Sequence, residues 1–250
     1  MEIVTHEVAG RTLSFECPGK NSAGLAKTLF TKEPGTIAWI DSFQPGAVMW
    51  DIGANIGIYG LYAATAKGCM VYAFEPGSAN YHGLNTNILL NQLDKRVVAL
   101  PIAIDDSSKF DLFRMRNNIV GGALHVFGRD TDYNNLPFVA EWMQGAISLT
   151  IDELVSRFGV PAPNHVKIDV DSIEVGVVRG GSETFRRKDL YSVLVEVDVT
   201  DEAEVARIHG LLTDAGLERD DHVPGNTVRI DKYGPARIFN MVYRRPGATG

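Results

Sequence analysis

The stretch Trp50-Asp51-Ile52-Gly53-Ala54-Asn55-Ile56-Gly57 decides how this chain folds. It continues a short apolar run, residues 47–52, and from Ile58 to Lys67 the apolar residues recur at helical spacing. Strand, glycine loop and helix in that order are the first ligand-binding turn of a doubly wound α/β fold. The dinucleotide fingerprint needs G-x-G-x-x-G, whereas Gly53, Asn55 and Gly57 follow G-x-N-x-G and Ile58 stands at the third fingerprint position. A dinucleotide is therefore disfavoured. Asparagine tolerates the left-handed conformation, so Asn55 is expected to replace a glycine in the turn and to add a side-chain amide.

Downstream of this loop, strands and helices alternate. Residues 69–74 repeat the strand pattern and end at Pro76-Gly77; residues 80–91 then predict a helix with Leu84, Ile88 and Leu89 inward. Residues 97–104 form a third strand, and 110–115 with 147–149 a shorter β excursion around a polar, glycine-rich stretch, 117–144, that is expected to be a lid. Thr150-Ile151-Asp152-Glu153 starts a helix over 153–158 by a capping pattern. Residues 166–170 and 192–197 read as buried strands, 201–215 as an amphipathic helix stopped by Gly216, and 236–243 as a final strand. Upstream, residues 2–17 predict a hairpin that braces the sheet, and 21–43 are helical, interrupted at Pro34-Gly35. Such alternation implies a mostly parallel sheet covered on both faces. The organisation expected is a hairpin and helical extension, 1–46, packed on one globular domain, 47–250.

Composition narrows the chemistry. Two hundred and fifty residues with 45% hydrophobic content can bury a full core, and a formal charge of -7 with only short basic clusters argues against a nucleic-acid partner. Cys17 and Cys69 lie far apart without a C-x-x-C spacing, which argues against a disulfide scaffold or a thiolate zinc site and fits a reducing cytoplasm. No apolar run nears the roughly 18 residues that span a bilayer. The six histidines, His6, His82, His125, His165, His209 and His222, make no i, i+4 pair, and Asp169, Asp171 and Glu174 lack calcium-loop spacing, so no metal is assigned.

Charge at the loop then selects a cofactor. A carboxylate at Asp51 would repel a pyrophosphate but suits the ammonium group of a methionine moiety, and Glu75, 24 positions later at the end of the second strand, could accept from two ribose hydroxyls. The pair points to S-adenosylmethionine, bound by Asp51, the loop residues Gly53, Ala54, Asn55 and Gly57, and by Glu75 with Pro76. Ile102 and Ile104 would flank an adenine, with Ala103 leaving room and Asp105 or a backbone amide meeting its edge.

Four segments in order, Asp51-Ile52-Gly53-Ala54-Asn55-Ile56-Gly57, Ala73-Phe74-Glu75-Pro76, Leu89-Leu90-Asn91 and Lys167-Ile168-Asp169-Val170-Asp171, resemble the FkbM methyltransferase family. The resemblance runs from about Trp39 to Gly216 and departs at Ser172, where the family usually has glycine. It implies a class I methyltransferase fold, seven strands with the last antiparallel, and methyl transfer to a hydroxyl of a sugar, polysaccharide precursor or natural product. Resemblance to other class I O-methyltransferases puts an acid beside sulfonium and acceptor, here Asp169, which could take a proton or hold a metal. Asp169 and Asp171 alternate along a strand, so only one should face the cleft unless the strand has broken. His125, inside the suspected lid, is a second candidate base. Glu196 either lines the acceptor side or caps the next helix. The competing readings are a cofactor-binding domain without catalysis, motivated by Ser172, and a dinucleotide-dependent oxidoreductase.

Overall fold

The computed structural model describes residues 1–131, 136–171, 173–221 and 238–248. Strands β1 (Glu2–Val8) and β2 (Arg11–Cys17) pair antiparallel about Ala9 and Gly10, whose φ angles of 49° and 74° give the turn the hand that matches strand twist. Helices α1 (Lys20–Lys27) and α2 (Pro34–Asp41) follow. Pro34 opens α2, at a position where its missing N–H is not needed, so the predicted break is also a helix start.

The first sheet strand, β3 (Val48–Ile52), leads through the glycine loop into α3 (Ile58–Lys67), then β4 (Met70–Phe74), α4 (Ser78–Leu90) and β5 (Val97–Leu100). A β excursion comes next: β6 (Ala103–Ile104), β7 (Lys109–Met115), β8 (Val126–Phe127) and β9 (Trp142–Leu149). The chain returns through α5 (Ile151–Ser156), β10 (His165–Ile168), α6 (Glu174–Arg179), β11 (Ser192–Asp198), α7 (Glu202–Asp214), β12 (Glu218–Arg219) and β13 (Ile238–Arg244). Thr150 caps α5 by accepting from the Glu153 N–H, as its capping pattern predicts.

The seven-stranded sheet has the order β12-β13-β11-β10-β3-β4-β5. Its strands are parallel except β13, which runs antiparallel to β11 and β12. Strand order reverses at β3, which has β4 on one side and β10 on the other, so the cleft for a ligand lies beyond the carboxyl ends of β3 and β10. The sheet is buried on both faces. Met49 joins a core with Phe15, Trp39 and Leu61, and its neighbour Trp50 joins the opposite core with Phe74, Phe185 and Tyr243.

Three expectations are corrected. The run 97–104 is two strands, because Pro101 and Ile102 lie outside both: β5 stays in the main sheet, and β6 pairs in parallel with β9 of a four-stranded sheet, β6-β9-β7-β8. Leu89 is 76% exposed, since the inward face of α4 carries Leu84, Asn87, Ile88 and, one turn on, Asn91. The hairpin forms its own sheet and braces α4 instead of the main sheet: Asn87 and Asn91 accept from the N–H groups of Glu16 and Ser14 at 2.8 Å, and Asn91 donates back to the Ser14 carbonyl. Those amides close an edge that would otherwise offer unpaired backbone groups.

Candidate active site

The glycine loop is shaped by close approach. Gly53 has φ 82°, and a Cβ there would lie 1.8 Å from the Asp169 carbonyl oxygen, so the end of β3 touches the end of β10 backbone to backbone. Asn55 takes the left-handed conformation expected of it, φ 51°, and its side-chain amide donates to the Gly122 carbonyl at 2.8 Å. Gly57, φ 86°, is the N-cap of α3 and shapes the turn; it is not among the residues lining the cleft.

Asp51 is 1% exposed and lines the cleft. Its Oδ2 accepts from the Gly60 N–H at 3.0 Å in the first turn of α3, where the helix dipole favours an anion. Oδ1 is buried and has no hydrogen-bond partner among the described residues. Burial pushes the carboxyl up to about 6, against the pull of Lys167. Glu75, at the end of β4, accepts from the Asn55 N–H at 2.9 Å and the Gly77 N–H at 2.7 Å, one on each oxygen, and burial raises it to about 7. The Asn80 side chain also bonds to it, and these three donors leave the carboxylate a lone pair for a hydroxyl donor.

Phe74, Ile102, Ala103, Ile104, Phe113 and Phe127 give the cleft an apolar wall suited to a planar ring. Asp105 does not reach this wall. Its carboxylate meets Lys109 at 2.8 Å and the Asp106 N–H, which removes it as the group at an adenine edge. The open cleft measures about 1040 Å³ out to solvent, and Pro76 and Ala54 also line it.

At the other end the strand does break: β10 stops at Ile168, Asp171 turns left-handed at φ 58°, and both Asp169 and Asp171 reach the cleft. Alternation along β10 therefore does not separate them. Asp171 accepts from the Leu124 N–H at 2.6 Å. Ser172, the departure from the family pattern, lies outside the described residues, as does His222. His125 lines the cleft, and burial, helped by Arg116, lowers it to about 4. Its Nδ1 faces the Arg116 N–H at 3.4 Å, which leaves the proton of the neutral ring on Nε2. In that tautomer Nε2 is a hydrogen-bond donor.

The expected lid is tied down over its first part. Asn80 donates to the Gly122 carbonyl and accepts from the Gly121 N–H, while Leu124 is held by Asp171. Residues 126–127 and 142–144 of the same stretch belong to β8 and β9, and 132–135 lie outside the described residues.

Glu196 lines the cleft from β11; the cap of α7 is Asp201, which settles the alternative for Glu196. One carboxylate oxygen from each of Glu33, Asp169 and Glu196 falls within 4.8 Å of the others. Two cations stand among them: Lys32, 3.0 Å from Glu33, and Lys167, 1% exposed, whose ammonium sits 2.7 Å from Asp169 and 5.1 Å from the Tyr59 ring centre. Burial works against charge on Asp169, and Lys167 overrides it, holding Asp169 below the usual carboxylate range. Glu196 is pushed up by burial and by Asp169.

Lys32, Glu33, Tyr59 and Lys167 were not selected from sequence. For Lys167 a signal exists: a lone charge in the buried run His165-Val166-Lys167-Ile168 needs an internal partner. Lys32 and Glu33 carry no such mark before Pro34.

These features fit one cofactor. The buried Asp51 oxygen without a partner among the described residues suits an ammonium group, Glu75 can accept from a hydroxyl, and the cleft has an apolar wall. Strand order, glycine loop and the two acids define a class I methyltransferase. The solved precorrin-6y C5,15-methyltransferase of Geobacter metallireducens GS-15 shares the fold, with a TM-score of 0.51 at 14% identity over 88% of this chain and 92% of that one. The methyltransferase FkbM domain profile matches residues 51–218, and the chain belongs to that family, whose cofactor is S-adenosylmethionine. Hexuronic acid methyltransferase AglP of Haloferax volcanii is 27% identical over 181 residues, 72% of this chain and 67% of that protein. The 31-O-demethyl-FK506 methyltransferase FkbM of Streptomyces tacrolimicus is 24% identical over 157 residues, 55% of this chain and 60% of that protein. Among the described residues no helix is long and apolar enough to cross a membrane.

Proposed function

We propose that this chain transfers a methyl group to a hydroxyl of a sugar, polysaccharide precursor or natural product. The observation that carries the reading is the contact of Gly53 with the Asp169 backbone, which sets an ionised carboxylate at the seam between the cofactor loop and the acceptor end. Support for an oxygen acceptor comes from the relatives, one acting on a hexuronic acid and one at a 31-O position by their names. The extension 1–46 belongs to the same working unit, since Leu25 and Lys32 line the cleft.

S-adenosylmethionine supplies the methyl group as a sulfonium, ready for in-line displacement. Asp51 and Glu75 fix its two ends, and the apolar wall excludes water, so the protein's main work is alignment. Asp169 would receive the hydroxyl proton as the carbon–oxygen bond forms and the methyl carbon–sulfur bond breaks, with S-adenosylhomocysteine as the leaving group, and would later release that proton to solvent. Asp171 holds the 121–125 segment against the cleft through Leu124, and His125 donates a hydrogen bond to the acceptor.

The test is transfer of labelled methyl from S-adenosylmethionine to a panel of neutral glycosides, uronosides and macrolide alcohols. Labelled product from wild type, with Asp169→Asn binding S-adenosylhomocysteine normally yet losing at least a hundredfold in rate, is expected. Full transfer by Asp169→Asn would remove its role as the proton acceptor.

A further inference from the structure

Glu33 stands outside the span that the family profile matches, yet it reaches the methyl-transfer centre. Its Oε1 pairs with Lys32 at 3.0 Å; its Oε2 accepts from the Thr36 hydroxyl at 3.0 Å and from the Asn240 amide at 2.9 Å; and the Tyr59 hydroxyl also bonds to it. Asn240 lies opposite Glu196 across the β11–β13 pairing. The extension, α3, β10, β11 and β13 thus converge on one carboxylate that is 5% exposed.

With so many donors, Glu33 has little capacity left for a substrate. Its role is to act on its neighbours. Three carboxylates lie this close in a poorly hydrated site and two cations pair with them, Lys32 with Glu33 and Lys167 with Asp169, so the third carboxylate, Glu196, is the one that keeps a proton. Asp169 has the ammonium of Lys167 on one oxygen, whereas no ion pair is seen on Glu196 among the described residues, so the shared proton resides on Glu196, which donates to Asp169.

We propose that Glu33 is a positioning residue for methyl transfer: its fixed negative charge, held by the extension and β13, keeps the proton on Glu196 and thereby leaves Asp169 free to take the acceptor's proton. Among the described residues the groups that enter this balance are Lys167 and Asp51 from the sheet, Lys32 and Glu33 from the extension, the neutral Tyr59 hydroxyl from α3, and Asp171 after β10. Loss of the Glu33 charge lets Glu196 ionise more easily, and two adjacent carboxylates then compete for Lys167. This inference rests on the reading of Asp169 as proton acceptor.

Carboxyl carbon NMR titration of the intact protein, with Asp169→Asn and Glu196→Gln for assignment, tests it without an acceptor. In wild type, Glu196 is expected to stay protonated at pH 7, and in Glu33→Gln its midpoint is expected to fall by about one pH unit, the effect of removing a like charge at this range. Titration of wild-type Glu196 in the ordinary glutamate range overturns the proposal whatever the variants do. So does a midpoint in Glu33→Gln equal to wild type. Should Glu33→Gln fail to fold, Glu33→Asp, which draws the charge back from Glu196, is expected to lower the Glu196 midpoint, and an unmoved midpoint there also overturns it. S-adenosylhomocysteine affinity, expected to stay within twofold in both variants, keeps the two readings apart: tight binding without Glu33 coupling rejects the positioning role alone, and loss of binding in wild type rejects the methyltransferase reading.

Discussion

Lowering the pH from 8 to 6 should weaken S-adenosylhomocysteine binding about twentyfold. Glu75, raised to about 7, and Asp51, raised to about 6, must both be ionised to accept from ribose hydroxyls and an ammonium group. Glu75 is about nine-tenths ionised at pH 8 and about one-tenth at pH 6, a ninefold change; Asp51 falls only to about half, a further twofold. Together these amount to about 1.8 kcal/mol. The sign is fixed because both groups bind as anions, so affinity rises with pH. Glu75→Gln removes the larger part and should leave about a twofold dependence. It should also weaken binding at pH 8 by about ten- to hundredfold, since its NH2 group faces the N–H of Asn55 or Gly77. Calorimetric titration at pH 6, 7 and 8 reads all of this. A flat wild-type profile, or a ninefold slope surviving in Glu75→Gln, would refute the reasoning.

Asp51→Asn should cost S-adenosylhomocysteine affinity at least tenfold at pH 8 while the protein stays folded, because the amide oxygen can still accept from Gly60; unchanged calorimetric affinity would separate Asp51 from the cofactor. Gly53→Ala should fail in thermal melts, dropping stability by more than 3 kcal/mol, since its methyl group collides with backbone that cannot retreat. A melting curve equal to wild type would mean that the β3 and β10 ends separate readily. Thr150→Ala should cost about 1 kcal/mol in urea unfolding, the usual effect of losing an N-cap, with S-adenosylhomocysteine affinity unaltered.

The sheet was legible because its signals are local: β3, the loop and α3 can be read from the consecutive residues 48–67, and the expected bounds of α3 are the observed ones. Asp51 and Glu75 were legible for the same reason, each standing at a strand end. The acceptor end was not. Glu33, Tyr59, Lys167 and Asn240 come from four distant parts of the chain and meet only when β13 inserts beside β11, and no residue spacing records that event. Asp105 misled because position along the chain predicts a strand end but not the side-chain partner; Lys109, four residues on, captures it. Asp171 reaches the cleft by the exception left open for a broken strand: strict alternation holds only inside a strand, and β10 ends sooner than its apolar pattern, a point that spacing alone does not mark.

The 1.8 Å that a Gly53 methyl would leave to the Asp169 carbonyl oxygen has an evolutionary reading. The segment that grips the donor and the segment that activates the acceptor share one seam, so neither can be remodelled by substitution without disturbing the other. Diversification of substrate range must then fall on parts that do not cross this seam. Glu33 of the extension and residues 121–125 are tied to the seam through Asp169, Asn55 and Asp171, so the natural place to build new acceptor contacts is the outer part of the stretch, residues 136–143.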